Sequence, residues 1–385
     1  MNWLADEPAR RAAFPVCNSQ IFLGHAGVTA LPGYVADAMR NHIAMSCENH
    51  QEFGEVLRDI QSARKTCADF IHAHPDEIAL LGPTSLGLSL FANGIDWQPG
   101  DEIVCYQDDY PANVYPWMNL ESKGVKIRYL APPGLGRITP ELVEAALTPR
   151  TRMVALASCH FLTGWRIDVS AIGQLLESRG VLFSLDAIQT LGAFPVDVTD
   201  VDFLSADAHK WMLGPLAIGI VYVARRNFDV CRPTLLGAWN VQSPNFISQP
   251  EIKFMDSAQR YEPGVLNITG IYGMIASLRK FQEFGTEAVS GRILLLRDHL
   301  DGLLRAMGFE FLSPGPSEPM RSGIVTARHP TVPAPVIFAA LEANRITASM
   351  RNTRDGSVWL RFSPHFYNTI DELDRVGAVL QSAIR

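Results

Sequence analysis

The chain has 385 residues, 47% of them apolar and 19% charged, with a formal net charge of −7. That length exceeds one compact core, and the acidic balance leaves no basic footprint for a nucleic acid. No run approaches an uninterrupted membrane span, the N-terminus lacks a signal-peptide pattern, and six scattered cysteines with no CxxC pair argue against zinc and disulfides; no metal and no membrane partner are expected, in a reducing cytoplasm.

Short apolar runs then alternate with helical stretches. Strands are expected at 77–81, 102–106, 126–130, 152–158, 181–185, 203–205 and 217–223, with helices starting at Thr84 and spanning 167–178. This strand–helix alternation predicts an α/β fold with a mostly parallel sheet covered on both faces. After Gly264 the pattern changes to long amphipathic helices over 267–284 and 290–307, short strands at 323–326 and 358–362, and a last helix over 370–384. The expected organisation is a segment 1–20 packing with the small domain, a large domain over 21–274, and a smaller α+β domain over 275–385.

Ligands of open parallel sheets bind beyond the carboxyl ends of the strands. Asp186 ends an apolar strand, and a buried carboxylate there needs a partner; it is either a helix cap or the counter-ion of a cationic ring. Lys210, in Ala206-Asp-Ala-His-Lys-Trp-Met-Leu-Gly-Pro215, is either a surface lysine or a Schiff-base lysine whose pKa its apolar neighbours lower. Gly82-Pro-Thr-Ser-Leu-Gly87 links a strand to a helix, as a phosphate site or an ordinary cap would.

These segments, together with Asp108–Trp117, Ser184-Leu-Asp-Ala-Ile-Gln189 and Leu360–Asn368, make the chain resemble the class V aminotransferase family over roughly residues 20 to 380. That family includes selenocysteine lyases, cysteine desulfurases, kynureninases and isopenicillin N epimerases. The resemblance implies pyridoxal 5'-phosphate (PLP), the fold type I architecture with a mostly parallel seven-stranded sheet, and a homodimer with its site at the interface. It implies Lys210 as the lysine that bonds the cofactor and moves the Cα proton, Asp186 on the ring nitrogen, and Gln189 on the ring hydroxyl. Thr84, Ser85, the Leu86 backbone and His209 would hold the phosphate. Tyr110 would stack on the ring, Arg361 would grip the substrate α-carboxylate, and Trp239 and Asn267 would reach the site of the second subunit. His25 matches a loop over the substrate, or is a partly exposed loop histidine; His160 is either an acid–base residue or a packed structural one.

The sequence departs from the desulfurase pattern at several points. No cysteine lies between Arg328 and Arg361, so a persulfide-forming residue is missing. Asp207 stands where a phosphate-binding serine is frequent and is expected to point away or bond a neighbouring donor, and Val265 replaces a hydroxyl residue. The expected function is therefore a Cβ lyase of the selenocysteine lyase-like type acting on an amino acid. An epimerase using Tyr110 or His160 as its second acid, and a class V aminotransferase, are the alternatives. A non-catalytic binding protein would normally have lost Lys210 or Asp186, and a nicotinamide dehydrogenase would carry GxGxxG after an early strand.

Overall fold

The structure is a computed structural model that describes residues 6–51 and 54–385. Its main sheet has seven strands. Across it they run Ile78–Leu80, Gly219–Val223, Phe203–Asp207, Leu182–Asp186, Thr151–Ala157, Glu102–Cys105 and Lys126–Tyr129. The last five are mutually parallel, and Gly219–Val223 runs antiparallel to both its neighbours. The mostly parallel α/β expectation therefore holds, with one reversed strand.

Strand alternation builds two cores from one sheet. Along Thr151–Ala157, Val154 and Leu156 join one apolar cluster while Met153 and Ala155 join the other. The helix Thr84–Gly94 crosses the sheet so closely that a Cβ on Gly87 would fall 2.4 Å from Ser205 Oγ. Glycine is required there for the helix to place its N-terminus at the carboxyl ends of the strands.

Two helices not anticipated from periodicity, Gly33–Glu48 and Gly54–Ile71, pack against Ile268–Phe284. Residue 275, the expected join between the units, lies inside that helix; Gly285, at φ 80°, separates it from Thr286–Ala306. We take Gly285 as the join. Beyond it, an antiparallel sheet runs Ser349–Asn352, Val358–Phe362, Val325–Arg328, Glu310–Phe311. Its core gathers Leu296, Leu300, Ile337, Leu360, Phe362 and Leu373 with Ile21 and Leu23 from near the N-terminus. The helix Glu7–Ala13 docks through buried Arg10, which pairs with Glu372 at 2.9 Å and donates to the Tyr367 carbonyl. No helix among the described residues is long and apolar enough to cross a membrane.

Candidate active site

A cleft of about 280 Å³ opens where the strand ends, the N-terminus of Thr84–Gly94 and the small sheet meet. Thr84, Ser85, Tyr110, Gln189, His209, Lys210 and Arg361 line it, and so do Ala26–Val28, Phe161 and Arg351. Residues drawn from positions 26 to 361 thus converge on one space.

Lys210 is 7% exposed. Burial pulls its amine down to about 8, against the opposing charge of Asp186 and with help from Arg361 and Arg351. Its Nζ lies 5.3 Å from the centre of the Tyr110 ring and makes no hydrogen bond among the described residues. Asp186 ends the strand Leu182–Asp186 at 2% exposure, and burial raises it to about 6. The Ile188 amide donates to Asp186 Oδ1 at 3.0 Å, so the carboxylate closes a local turn rather than capping a helix. Asp186 does not line the cleft surface; its chain neighbours Ile188 and Gln189 do.

Gln189 is held at both ends of its amide. Its Nε2 donates to the Ala26 carbonyl at 3.1 Å, and its Oε1 accepts from Trp211 Nε1 at 2.9 Å. The helix at Thr84 has no side-chain cap. Thr84 Oγ1 accepts from the Asp207 amide at 2.9 Å, which leaves its hydroxyl hydrogen free to donate. Asp207 Oδ2 lies 3.2 Å from His209 Nδ1, yet Asp207 Oδ1 and His209 Nδ1 have no aligned hydrogen bond. Asp207 thus lies beside the His209 ring without a hydrogen bond to it. Arg361 is 2% exposed, donates through Nη1 to the Phe161 carbonyl at 2.5 Å, and leaves Nε unpartnered. Burial, then the charge of Arg351, lower it to about 9.

Several expected residues sit elsewhere. His25 is fully buried: Nδ1 donates to the Ser363 carbonyl and Nε2 accepts from Tyr367 Oη, both at 2.8 Å. Burial lowers it to about 4; it is not an exposed loop residue and does not line the cleft. His160 is also packed. Its Nδ1 accepts from the Thr163 amide at 3.2 Å and its Nε2 donates to the Asp108 carbonyl at 3.0 Å. Burial takes it to about 4, and it lines a neighbouring cavity instead. Both ring nitrogens are committed, which leaves no free site for proton transfer. The Leu86 amide donates to the Pro83 carbonyl at 2.8 Å, and its side chain lines a separate cavity with Val265 and Asn267. Asn267 caps the helix Ile268–Phe284 and Trp239 accepts from Gln259 through its carbonyl; neither lines the cleft of its own chain.

Three contributors escaped sequence reasoning. Phe161 follows His160 and forms a wall of the cleft. Asp109 is 7% exposed and ties the Tyr110 turn to the strand end, accepting from the Tyr110, Asn113 and Ala157 N–H groups. Burial and then the Asp186 charge raise it to about 7. Arg351 lies in Ser349–Asn352, which has little β-branched content to announce a strand.

The groups present fit a ligand with a cationic ring nitrogen, an aldehyde and a phosphate. A buried amine without a hydrogen bond and an uncapped helix N-terminus bearing two hydroxyls line one cleft, with a buried carboxylate that has a single N–H donor behind Ile188 and Gln189 of its lining. The comparisons with known proteins agree. The family described as aminotransferase class-V matches residues 21–376. A probable cysteine desulfurase of Methanothermobacter thermautotrophicus is 26% identical, over 99% of this chain and 98% of its own length. The apo structure of a cysteine desulfurase from Thermococcus onnurineus NA1 superposes with a TM-score of 0.91 at 23% identity, covering 98% of this chain and 97% of that one. The cystine C–S lyase C-DES, solved with its product cysteine persulfide, superposes at 0.86 with 20% identity, over 95% of this chain and 98% of its own. At those identities the structures speak to the fold.

Proposed function

The chain belongs to the class-V aminotransferase family of PLP-dependent enzymes, and from that premise we propose that it is a lyase acting at Cβ of a small L-amino acid. The observation that carries this reading is that buried Lys210, electrostatically coupled to Asp186 just beneath the surface, lines one cleft with Arg361. The relatives named cysteine desulfurases and the cystine C–S lyase support a bond at Cβ as the one broken.

PLP, when bound, supplies an electron sink that lets a bond at Cα break heterolytically. Lys210 would hold the cofactor, and its Nζ would be the base for the Cα proton. Asp186 keeps the ring nitrogen cationic, and Gln189, fixed by Ala26 and Trp211, presents its remaining amide hydrogen to the ring hydroxyl. Thr84 and Ser85 donate to the phosphate from the helix N-terminus, with His209 at its edge, and Tyr110 covers the outer face. Arg361 would fix the α-carboxylate and so orient the bonds at Cα. Leu235, Leu236 and Val265 are exposed apolar residues lining or adjoining the cavity that holds Asn267, and a homodimer contact there would bring Trp239 and Asn267 toward the partner's site.

No cysteine lines the cleft. Cys159 is fully buried and raised to about 11 by burial, so it cannot serve as a thiolate nucleophile. Elimination needs no such residue, which favours direct release of the Cβ substituent over persulfide formation on the enzyme. For an epimerase, His160 is committed elsewhere, which leaves Tyr110 as the second acid in the cleft. Turnover of candidate amino acids in deuterated water tests the reading. Pyruvate or alanine formation is expected; racemised deuterated substrate without Cβ cleavage would replace the lyase by an epimerase.

A further inference from the structure

Asp207 sets a carboxylate behind the anion end of the cleft. It closes the strand Phe203–Asp207 at 2% exposure, and its amide donates to Thr84 Oγ1 at 2.9 Å. Its backbone is thereby tied to the helix N-terminus assigned to the phosphate. Thr84, Ser85 and His209 line the cleft, and Asp207 does not. The His209 ring stands beside it, with Nδ1 at 3.2 Å from Asp207 Oδ2. Among the described residues that ring is the only group able to carry positive charge at ion-pair distance from Asp207. Yet His209 Nδ1 and Asp207 Oδ1 are both buried without a hydrogen-bond partner. Unpartnered buried polar groups are costly, and that cost is recovered when a ligand draws them into line. The His209 carbonyl accepts from the Thr29 amide at 2.8 Å, so the backbone is held and a turn of the ring is the freedom left.

The imidazole's own inventory decides what such an alignment needs. A neutral ring has one N–H, which can serve the carboxylate or an anion in the cleft but not both; an imidazolium has two. With Nδ1 buried on the Asp207 side, Nε2 is the nitrogen left for the cleft. A carboxylate on one side and a phosphate on the other both favour the charged ring. Direct repulsion between the two anions then gives way to attraction by one cation placed between them. The first turn of Thr84–Gly94 adds hydroxyls and amide N–H groups there, but no titratable side chain.

We propose that Asp207 is a positioning residue for the cofactor phosphate: it accepts the Nδ1–H of a doubly protonated His209, whose Nε2–H serves the phosphate alongside Thr84 and Ser85. This rests on the reading of the cleft as a PLP site. The carboxylate thus does through histidine what a serine hydroxyl at this position would do directly.

Two measurements test it. In holoprotein carrying histidine labelled for nitrogen NMR, the ring signals that His209→Gln removes should sit at the imidazolium position in wild type. In Asp207→Asn they should move to that of a neutral ring. A neutral ring in wild-type holoprotein would overturn the proposal. The second measurement compares the affinity of apoprotein for PLP and for pyridoxal, which lacks the phosphate. Asp207→Asn should weaken PLP at least about tenfold and leave pyridoxal unchanged. Lys210 also feels the Asp207 charge, but both ligands use that amine, so the ratio of affinities cancels its contribution. His209→Gln should lower the ratio similarly, and the double variant no further than His209→Gln alone. Equal losses for both ligands in Asp207→Asn, or additive losses in the double variant, would make Asp207 independent of His209 and overturn the proposal. Wild-type apoprotein that binds neither ligand would end the PLP reading itself, and this proposal with it, which separates the two failures.

Discussion

Lys210 and Asp186 each oppose the effect of burial on the other: the carboxylate holds the amine up, and the amine holds the carboxylate down. Both nevertheless shift toward their neutral forms, the amine to about 8 and the carboxyl to about 6. A carboxylate placed this way, without an ion-pair partner of its own, is poised to pair with a bound cationic ring.

The amine that captures the cofactor must be neutral. Below about 8 its neutral fraction falls about tenfold per pH unit. The rate of PLP uptake by apoprotein should climb with that slope between pH 6 and 8 and level above, in stopped-flow absorbance. A rise continuing to pH 10 would mean an ordinary exposed lysine. Borohydride reduction should fix the cofactor to the wild-type chain, and Lys210→Ala should abolish that mass increment.

Asp186→Asn separates the cost of the carboxylate from its use. The folded-state value is raised above the unfolded one, so folded apoprotein holds the proton longer, and that stability is lost as pH rises from about 4 through about 6. Asparagine stays neutral throughout. The variant apoprotein should gain on wild type over that window, by roughly 3 kcal/mol at most, in urea denaturation at several pH values. The same variant should lose at least about a hundredfold in kcat/KM, because the ring nitrogen loses its counter-ion.

His160→Gln should keep most of kcat and lower stability by about 1–3 kcal/mol, because the ring's two hydrogen bonds are structural. The depressed folded value also means that this histidine's contribution is present above the unfolded pKa and lost as pH falls toward about 4. A loss of kcat of about a hundredfold or more with an unchanged melting temperature would instead make it an acid–base residue.

Glu262 anchors the segment that leads to Asn267. Its carboxylate is fully buried and takes both terminal nitrogens of Arg64, at 2.5 and 2.6 Å, and the Leu80 amide at 2.7 Å. Glu262→Ala strands a buried guanidinium and should cost about 3–5 kcal/mol in equilibrium unfolding. A change under about 1 kcal/mol would show that Arg64 finds water or another acceptor.

The parallel strands were legible because their apolar runs are short and ended by glycine, proline or an unexpected polar residue, as at Leu185–Asp186. Gly33–Glu48 was not, since it buries only Val35 and His42 and carries little apolar periodicity, whereas Gly54–Ile71 does bury one face, from Val56 and Ile60 to Cys67 and Ile71, and was legible in principle. The same limit hid the strand Ser349–Asn352.

Residue type and local context marked Lys210 and Asp186 as unusual, because an isolated charge at the end of a buried strand needs a partner, and the family resemblance supplied the roles proposed for them. Whether a histidine in a loop is free or spent depended on the groups opposite it. His25 meets Ser363 and Tyr367 from more than three hundred residues away, and no local pattern encodes that pairing. The convergence of Arg351 with Arg361 is likewise a product of strand register: it exists only once the hairpin has paired and its shared face is turned toward Gly27.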